Sequence, residues 1–170
     1  LRMGTGITVD EWETNRTTYT ARGFDIANTQ IAGVGLPNDW GIVTGAMDSF
    51  GYEKIEVIRG ANGLLTGVGN AAGTLNCLRK RPTNKAQGSL GLSYGSWGTT
   101  RIEADYSRPL TEDRRWAGRV VAAREEGGSH LRSFERERTY LYGVVDGQIG
   151  DNGLRTLGAS HQQSDSTGNM

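Results

Sequence analysis

The sequence has one cysteine, three prolines, two histidines and no run of 18 apolar residues. A single thiol, Cys77, excludes an intrachain disulfide and any multi-cysteine metal site. So little proline, with no Gly-X-Y period, excludes collagen and proline-rich disorder. His130 and His161 lack the spacing of a zinc-binding helix. The glycine-rich run from Gly60 to Gly73 has no following Lys-Ser/Thr, so it is no phosphate-binding loop. No enzyme is expected from these residues. Without an apolar run no transmembrane helix is possible. Strands are another matter, because about 9–11 residues with every second side chain apolar are enough to cross a bilayer. Nor is there an excess of one charge: 19 basic residues balance 19 acidic ones. A neutral chain has no general attraction to nucleic acid.

What the chain does have is glycine, 26 of its 170 residues, about double the usual share of roughly 7%. Glycine at that density suits tight turns and closely approaching strands. The first half mixes short strands with glycine corners. Thr17–Ala21 is β-branched and aromatic and stops at Arg22-Gly23, which predicts a strand and a turn. A strand is also predicted for Gln30–Val34, a loop for Leu36–Gly41, and a short helix from Thr44 to about Phe50. Glu53–Ile58 alternates as a strand, Ala61–Thr66 can form a helical turn or two, and Gly73–Arg79 returns extended. Pro82 then ends any ladder.

From about Gln87 a period of two takes over. Leu90, Leu92 and Tyr94 share a face opposite Ser89, Gly91 and Ser93. Ile102, Ala104 and Tyr106 oppose Arg101, Glu103 and Asp105. Trp116, Gly118, Val120 and Ala122 oppose Arg119, and Leu141, Gly143, Val145, Gly147 and Ile149 oppose Tyr140, Tyr142, Asp146 and Gln148. Leu157 and Ala159 continue the pattern. Such alternation marks strands with unlike surroundings on their two faces. The connectors at Gly95–Gly98, Leu110–Asp113 and Gly150–Gly153 are short, whereas the charged segment Glu125–Arg138 is expected to be a longer loop. Two covers for the apolar faces are compatible with this pattern: a core, as in a soluble antiparallel sheet, or lipid.

The run Tyr52-Glu53-Lys54-Ile55-Glu56-Val57-Ile58-Arg59-Gly60-Ala61-Asn62-Gly63-Leu64-Leu65-Thr66-Gly67 carries a resemblance. So do Gly69–Asn76 and Arg79-Lys80-Arg81-Pro82-Thr83. Together they resemble the plug domain of TonB-dependent siderophore receptors of the bacterial cell outer membrane. Tyr19–Ile26, with its Arg-Gly-Phe, fits the same pattern. Asn15–Asp25 and Tyr94-Gly95-Ser96-Trp97 look like the hydroxamate and coprogen-type subgroup. The chain departs at Ala61, where the family usually has proline, at Thr66, where tyrosine is frequent, and at Ala72 and Cys77.

The resemblance implies a mixed α+β plug fragment followed by the first antiparallel strands of a transmembrane β-barrel. Residues 1–84 would be the C-terminal part of the plug and residues 85–170 the N-terminal barrel strands. It implies uptake of a ferric siderophore, driven by a TonB-type energy-transducing protein, in outer-membrane lipid. Iron would travel as the siderophore chelate, with no cofactor bound directly. The binding box for the TonB-type partner, a signal peptide and most of a barrel of about 22 strands would lie outside these residues. Arg22 is the foremost ligand candidate, because a guanidinium offers fixed donors to chelate oxygens. Trp40, Asn38, Asp39 and Phe50 would line the same apical region. Glu53, Glu56, Arg59, Arg79 and Arg81, with Lys80, would make plug–barrel ion pairs. Trp97, Tyr106, Trp116, Tyr140 and Tyr142 are candidates for an aromatic girdle. The alternatives are a soluble or periplasmic β-rich ligand-binding module, or a truncated receptor that does not transport.

Overall fold

The computed structural model describes residues 6–12, 16–36, 47–59, 72–130, 133–150 and 152–168. They form two compact units, Leu1–Arg79 and Lys80–Met170.

The first unit holds two sheets. β1 (Thr8–Trp12), β2 (Arg16–Ala21) and β3 (Phe24–Asp25) form an antiparallel set in that order. β4 (Asn28–Ile31), β5 (Val34–Gly35), β6 (Tyr52–Ile58) and β7 (Thr74–Arg79) form a second sheet in the order β5-β4-β7-β6. β4 and β7 run parallel, the other pairs antiparallel. Ile7, Ala21, Ile26, Ala72 and Leu75 make the core, with Val9, Tyr19 and Val57 packed on it. Inside β7 the polar side chain of Asn76 is satisfied. Its Oδ1 accepts from Gly33 N at 3.1 Å and its Nδ2 donates to Glu56 at 3.4 Å.

The expected strand over Gln30–Val34 is instead two strands and a turn. β4 reverses at Ala32-Gly33, both at positive φ (50° and 83°), so Ile31 pairs with Val34. The physical reason is the glycine. A two-residue hairpin turn of this hand needs left-handed backbone, which glycine supplies without penalty. β1 carries no clear alternation in its sequence and forms by pairing with β2. Thr44 and Ala61–Thr66 lie outside the described residues. Near Phe50 the chain makes one 3-10 turn, Ser49–Gly51, capped by the Asp48 carboxylate accepting from Phe50 N at 2.9 Å.

The second unit is one antiparallel sheet of β8 (Gln87–Tyr94), β9 (Thr100–Pro109), β10 (Trp116–Gly128), β11 (Glu135–Ile149) and β12 (Gly153–Thr167), each paired with the next. The strands hold 8, 10, 13, 15 and 15 residues, enough for a bilayer crossing in all but the first. The expected long loop Glu125–Arg138 is shorter, because both strands continue into it and Gly128 pairs with Glu135. Its charges are neighbours across the ladder: Arg136 meets Glu125 at 2.7 Å and Arg124 meets Glu137 at 2.8 Å. Opposite charges at such positions support a ladder rather than break it. The spacing Gly91-Leu92-Ser93-Tyr94-Gly95 matches that of a serine nucleophile, but Ser93 lies in β8, paired with Arg101. It is not at the strand-to-helix elbow that such chemistry needs.

Candidate functional site

The register sorts the second unit into two unlike faces. One carries Leu90, Leu92, Ile102, Tyr106, Val120, Leu141 and Leu157, all exposed, with Leu90 at 83% and Leu157 at 81%. The apolar band ends toward the Gly128–Glu135 side at an exposed ion-pair row, Arg124 with Glu126 (2.7 Å) and Glu137 (2.8 Å). Tyr106 and Trp116 lie on this face, half exposed. Tyr140 and Tyr142 do not join them: both are on the opposite face and buried. A chain with period two cannot put Tyr140 on the same side as Leu141.

The other face is polar and knitted by charge. Arg101 reaches Glu103 at 2.5 Å and Glu125 at 3.2 Å, and Arg136 also binds Glu125. Closer to the short turns, the segment Lys80–Thr83 is strapped across β9, β10 and β11. Asp105 takes two hydrogen bonds from the Arg119 guanidinium, 2.8 Å to Oδ1 and 2.7 Å to Oδ2, and one from Lys80 Nζ at 2.8 Å. Arg119 Nη1 donates to Arg81 O at 2.9 Å, and Tyr142 donates to Lys80 O at 3.1 Å. Arg81 Nε donates to Asp146 at 2.9 Å, and Thr83 N to Ser107 Oγ at 2.9 Å. A planar guanidinium matched to a carboxylate by two bonds is among the stronger polar contacts available. A cavity of about 250 Å³ opens beside Asp105 and Arg119, lined also by Gln87, Gly88 and Ser89.

Of the residues singled out from sequence, Arg81 is thus tied to Asp146 and its neighbour Lys80 to Asp105. Arg79 ends β7 and is half-buried. Glu56 keeps its contacts in its own sheet, with Lys54 at 2.6 Å and with Asn76. The Lys54 hydrogen bond holds the Glu56 carboxyl below its usual range. Glu53 is exposed on the same strand, and Arg59, also exposed, lies beside Gly6. Arg22 occupies the tip of the β2–β3 hairpin with φ 55° and an exposed side chain, and Gly23 follows at φ 81°. Phe50 sits in the 3-10 turn before β6. Asn38, Asp39 and Trp40 lie outside the described residues. Sequence reasoning missed Asp105, Arg119, Ser107, Tyr142 and Asp146 as a group. Their polar face was legible. Arg119 meets Asp105 diagonally, however, and that contact exists only once Arg119 is paired with Ser107.

Cys77 is buried in β7, and burial pushes its thiol up. Among the described residues no three His, Cys, Asp or Glu side chains are grouped to hold a metal ion.

These features define a class before they define a relative. Residues 1–74 match the family model of the TonB-dependent Receptor Plug Domain. A plug-like domain followed by antiparallel, barrel-type strands is the fold of this chain.

The particular likeness is to pyoverdine receptors. The chain is 38% identical over 171 residues to the ferripyoverdine receptor of Pseudomonas aeruginosa, covering 99% of this chain and 21% of that protein. It is 35% identical over 165 residues to the ferric-pyoverdine 358 receptor of Pseudomonas putida, covering 95% and 20%. The crystal structure of the outer-membrane ferripyoverdine receptor of P. aeruginosa bound to ferripyoverdine superposes with a TM-score of 0.89 at 38% identity. That match covers 95% of this chain and 22% of that one. The chain therefore spans about a fifth of the length of the curated relatives it matches.

The hydroxamate and coprogen-type subgroup is corrected by this finding, since four pyoverdine receptors match 95% or more of the chain. The motifs that suggested it serve the backbone. Arg22-Gly23 makes a hairpin turn, and Gly95–Gly98 turns the chain between β8 and β9, with Trp97 at φ 57°. A turn needs its backbone angles whatever the receptor carries.

Proposed function

We propose that this chain belongs to a bacterial outer-membrane receptor that takes up a ferric siderophore of the pyoverdine type, energised by a TonB-type partner. The observation that carries the reading is the two-faced sheet: one side apolar and exposed, the other polar and strapped to the segment that follows the plug-like unit. A soluble module would cover Leu90, Leu92 and Leu157, which here stand open at 76–83%. In lipid the same exposure is favourable, and the inner strands β9, β10 and β11 satisfy their backbone groups on both sides along the ladders.

In this reading residues 1–84 belong to the plug and residues 85–170 begin the barrel wall. The receptor catalyses no covalent step and holds no resident cofactor; iron is cargo inside its chelate. Uptake is differential binding. The receptor must favour the loaded chelate in one plug state and release it in another, and the partner's pull shifts the balance between them. Arg22, at its hairpin tip, is assigned to chelate binding, and the same role is assigned to Trp40, Asn38, Asp39 and Phe50. Glu53, Arg59, Arg79 and Arg81 are assigned to contacts with the wall, and Glu56, bound to Lys54 and Asn76 in its own sheet, would have to exchange those contacts to join them. The Arg22 tip supports this assignment because an exposed guanidinium on a two-residue turn is free to meet a ligand yet held in place by its backbone.

The test is ferric pyoverdine binding to the protein at the length its gene encodes, followed by fluorescence quenching in detergent. Arg22→Ala should weaken binding about tenfold or more, the loss of one charge-assisted contact of about 1.5–3 kcal/mol. Binding of ferric pyoverdine by the parent but unchanged in the variant removes Arg22 from the site. No binding by the parent removes the pyoverdine reading.

A further inference from the structure

Along β8, β10 and β11 the outward row of the sheet includes Gly88, Gly118, Gly143 and Gly147. Three of them are roofed by a neighbour. A Cβ placed at Gly88 would lie 3.0 Å from Tyr106, at Gly118 3.3 Å from Leu110, and at Gly147 2.5 Å from Trp116. Gly143 differs: nothing lies within 4 Å of that position. Glycine inside a strand weakens it and commonly marks the close approach of something else. Gly143 forms the floor of a groove of about 570 Å³, walled by Tyr106, Leu110, Val120, Val145, Leu157 and Ala159, with Arg108 among its lining residues.

Charge identifies the occupant. Arg108 stands in the cross-strand row of Gly118, Val145 and Leu157, on the face that carries the apolar band. Its Nε donates to Pro109 O at 3.2 Å, and among the described residues no carboxylate pairs with it. Arg155 stands one outward row nearer the short turns, exposed, and likewise has no acidic partner among the described residues. On a lipid-facing surface a cation is costly at mid-bilayer and nearly free at the interface, where phosphates lie. Both guanidiniums therefore mark the headgroup side of the sheet, and the groove runs from the Arg108 row into the apolar band.

We propose that this groove is a binding site for an anionic phospholipid of the leaflet beside the 110–115 and 150–152 turns. One acyl chain lies over Gly143 and the headgroup phosphate meets Arg108, with Arg155 adding positive potential one row nearer the turns. The proposal rests on the barrel reading above. An acyl chain suits the groove, which is open and almost without polar lining.

Native mass spectrometry of the protein at its encoded length, released from detergent after incubation with phosphatidylglycerol or phosphatidylethanolamine, tests it. The parent should retain phosphatidylglycerol at several-fold higher occupancy. Gly143→Leu, which obstructs the floor of the groove, should lower that occupancy about tenfold. Arg108→Gln should abolish the preference between the two headgroups while leaving the groove open. Equal retention of both lipids by the parent, or retention unaffected by Gly143→Leu and Arg108→Gln together, overturns the site. Membrane extraction with carbonate and ferric pyoverdine binding run alongside. A protein that stays in the membrane and binds pyoverdine but shows no lipid preference loses only the groove proposal. One that washes from the membrane loses the barrel reading, and the groove with it.

Discussion

Removing the Asp105 carboxylate should be the most damaging single change on the polar face of the sheet. Asp105 sits between Arg119 and Lys80, and the three side chains are only 9%, 11% and 14% exposed. Asp105→Ala removes the carboxylate that both cations share, in surroundings that hold little water. Breaking one partner out of a buried ion pair costs about 3–5 kcal/mol. Glu126→Ala, at an ion pair whose side chains are more than half exposed, should cost only about 0–1 kcal/mol. Thermal unfolding of the protein at its encoded length, in detergent, compares the two. Hydrogen exchange localises the effect, because the Thr83 amide is held by Ser107 in the same strap. If about 3 kcal/mol of the lost energy held the strap down, exchange at Thr83 should speed up about a hundredfold, one decade per 1.36 kcal/mol. Replacing Lys80, Asp105 and Arg119 together by apolar residues of similar volume should recover most of the stability, since the desolvation cost of the charges disappears too. Equal losses for Asp105→Ala and Glu126→Ala, or unchanged exchange at Thr83, would refute the reasoning.

Three further outcomes follow from the geometry. Gly73 has φ +136°, and a Cβ there would lie 2.6 Å from the backbone oxygen of Ile58. Gly73→Ala should destabilise the first unit by about 1–3 kcal/mol, read as earlier trypsin cleavage on heating. Cys77 should label slowly with maleimide at pH 8 in the folded protein and fully in denaturant, because burial raises its thiol and leaves less thiolate; rapid native labelling would show the strand is open. Asp113, in the turn after β9, accepts from the Thr111 hydroxyl at 2.6 Å and from Arg115 N at 3.1 Å, which lowers its pKa. Its folded value lies below the unfolded value of about 3.9, so its contribution is present above that pH and fades as pH falls through the folded value. Thr111→Ala should move the Asp113 titration upward by NMR; an unmoved titration assigns the shift elsewhere.

Much of the fold was legible because its causes are local. Leu90 with Leu92, and Ile102 with Tyr106, declare a two-faced strand by period alone. Arg22-Gly23 announces a hairpin because few residue pairs accept two left-handed positions in a row. Errors arose where the local signal was ambiguous. The charges of Glu125–Arg138 looked like loop because their partners stand on the neighbouring strand. Gln30–Val34 looked continuous because its reversal depends on one glycine. The Arg-Gly-Phe and Tyr-Gly-Ser-Trp motifs suggested the wrong siderophore class because they meet backbone demands that do not depend on the ligand.

By itself, then, the order of residues determined which side chains share a face, where the chain turns, and that no helix could cross a bilayer. Tertiary structure alone decided which residues meet. Arg119 reaches Asp105, Tyr142 finds the Lys80 carbonyl, and Gly143 is left uncovered while Gly147 lies under Trp116. Facing is a property of one strand's pleat and can be read along the chain. Meeting depends on the register between strands separated by tens of residues, and one slip of register would turn every one of these contacts to the other side.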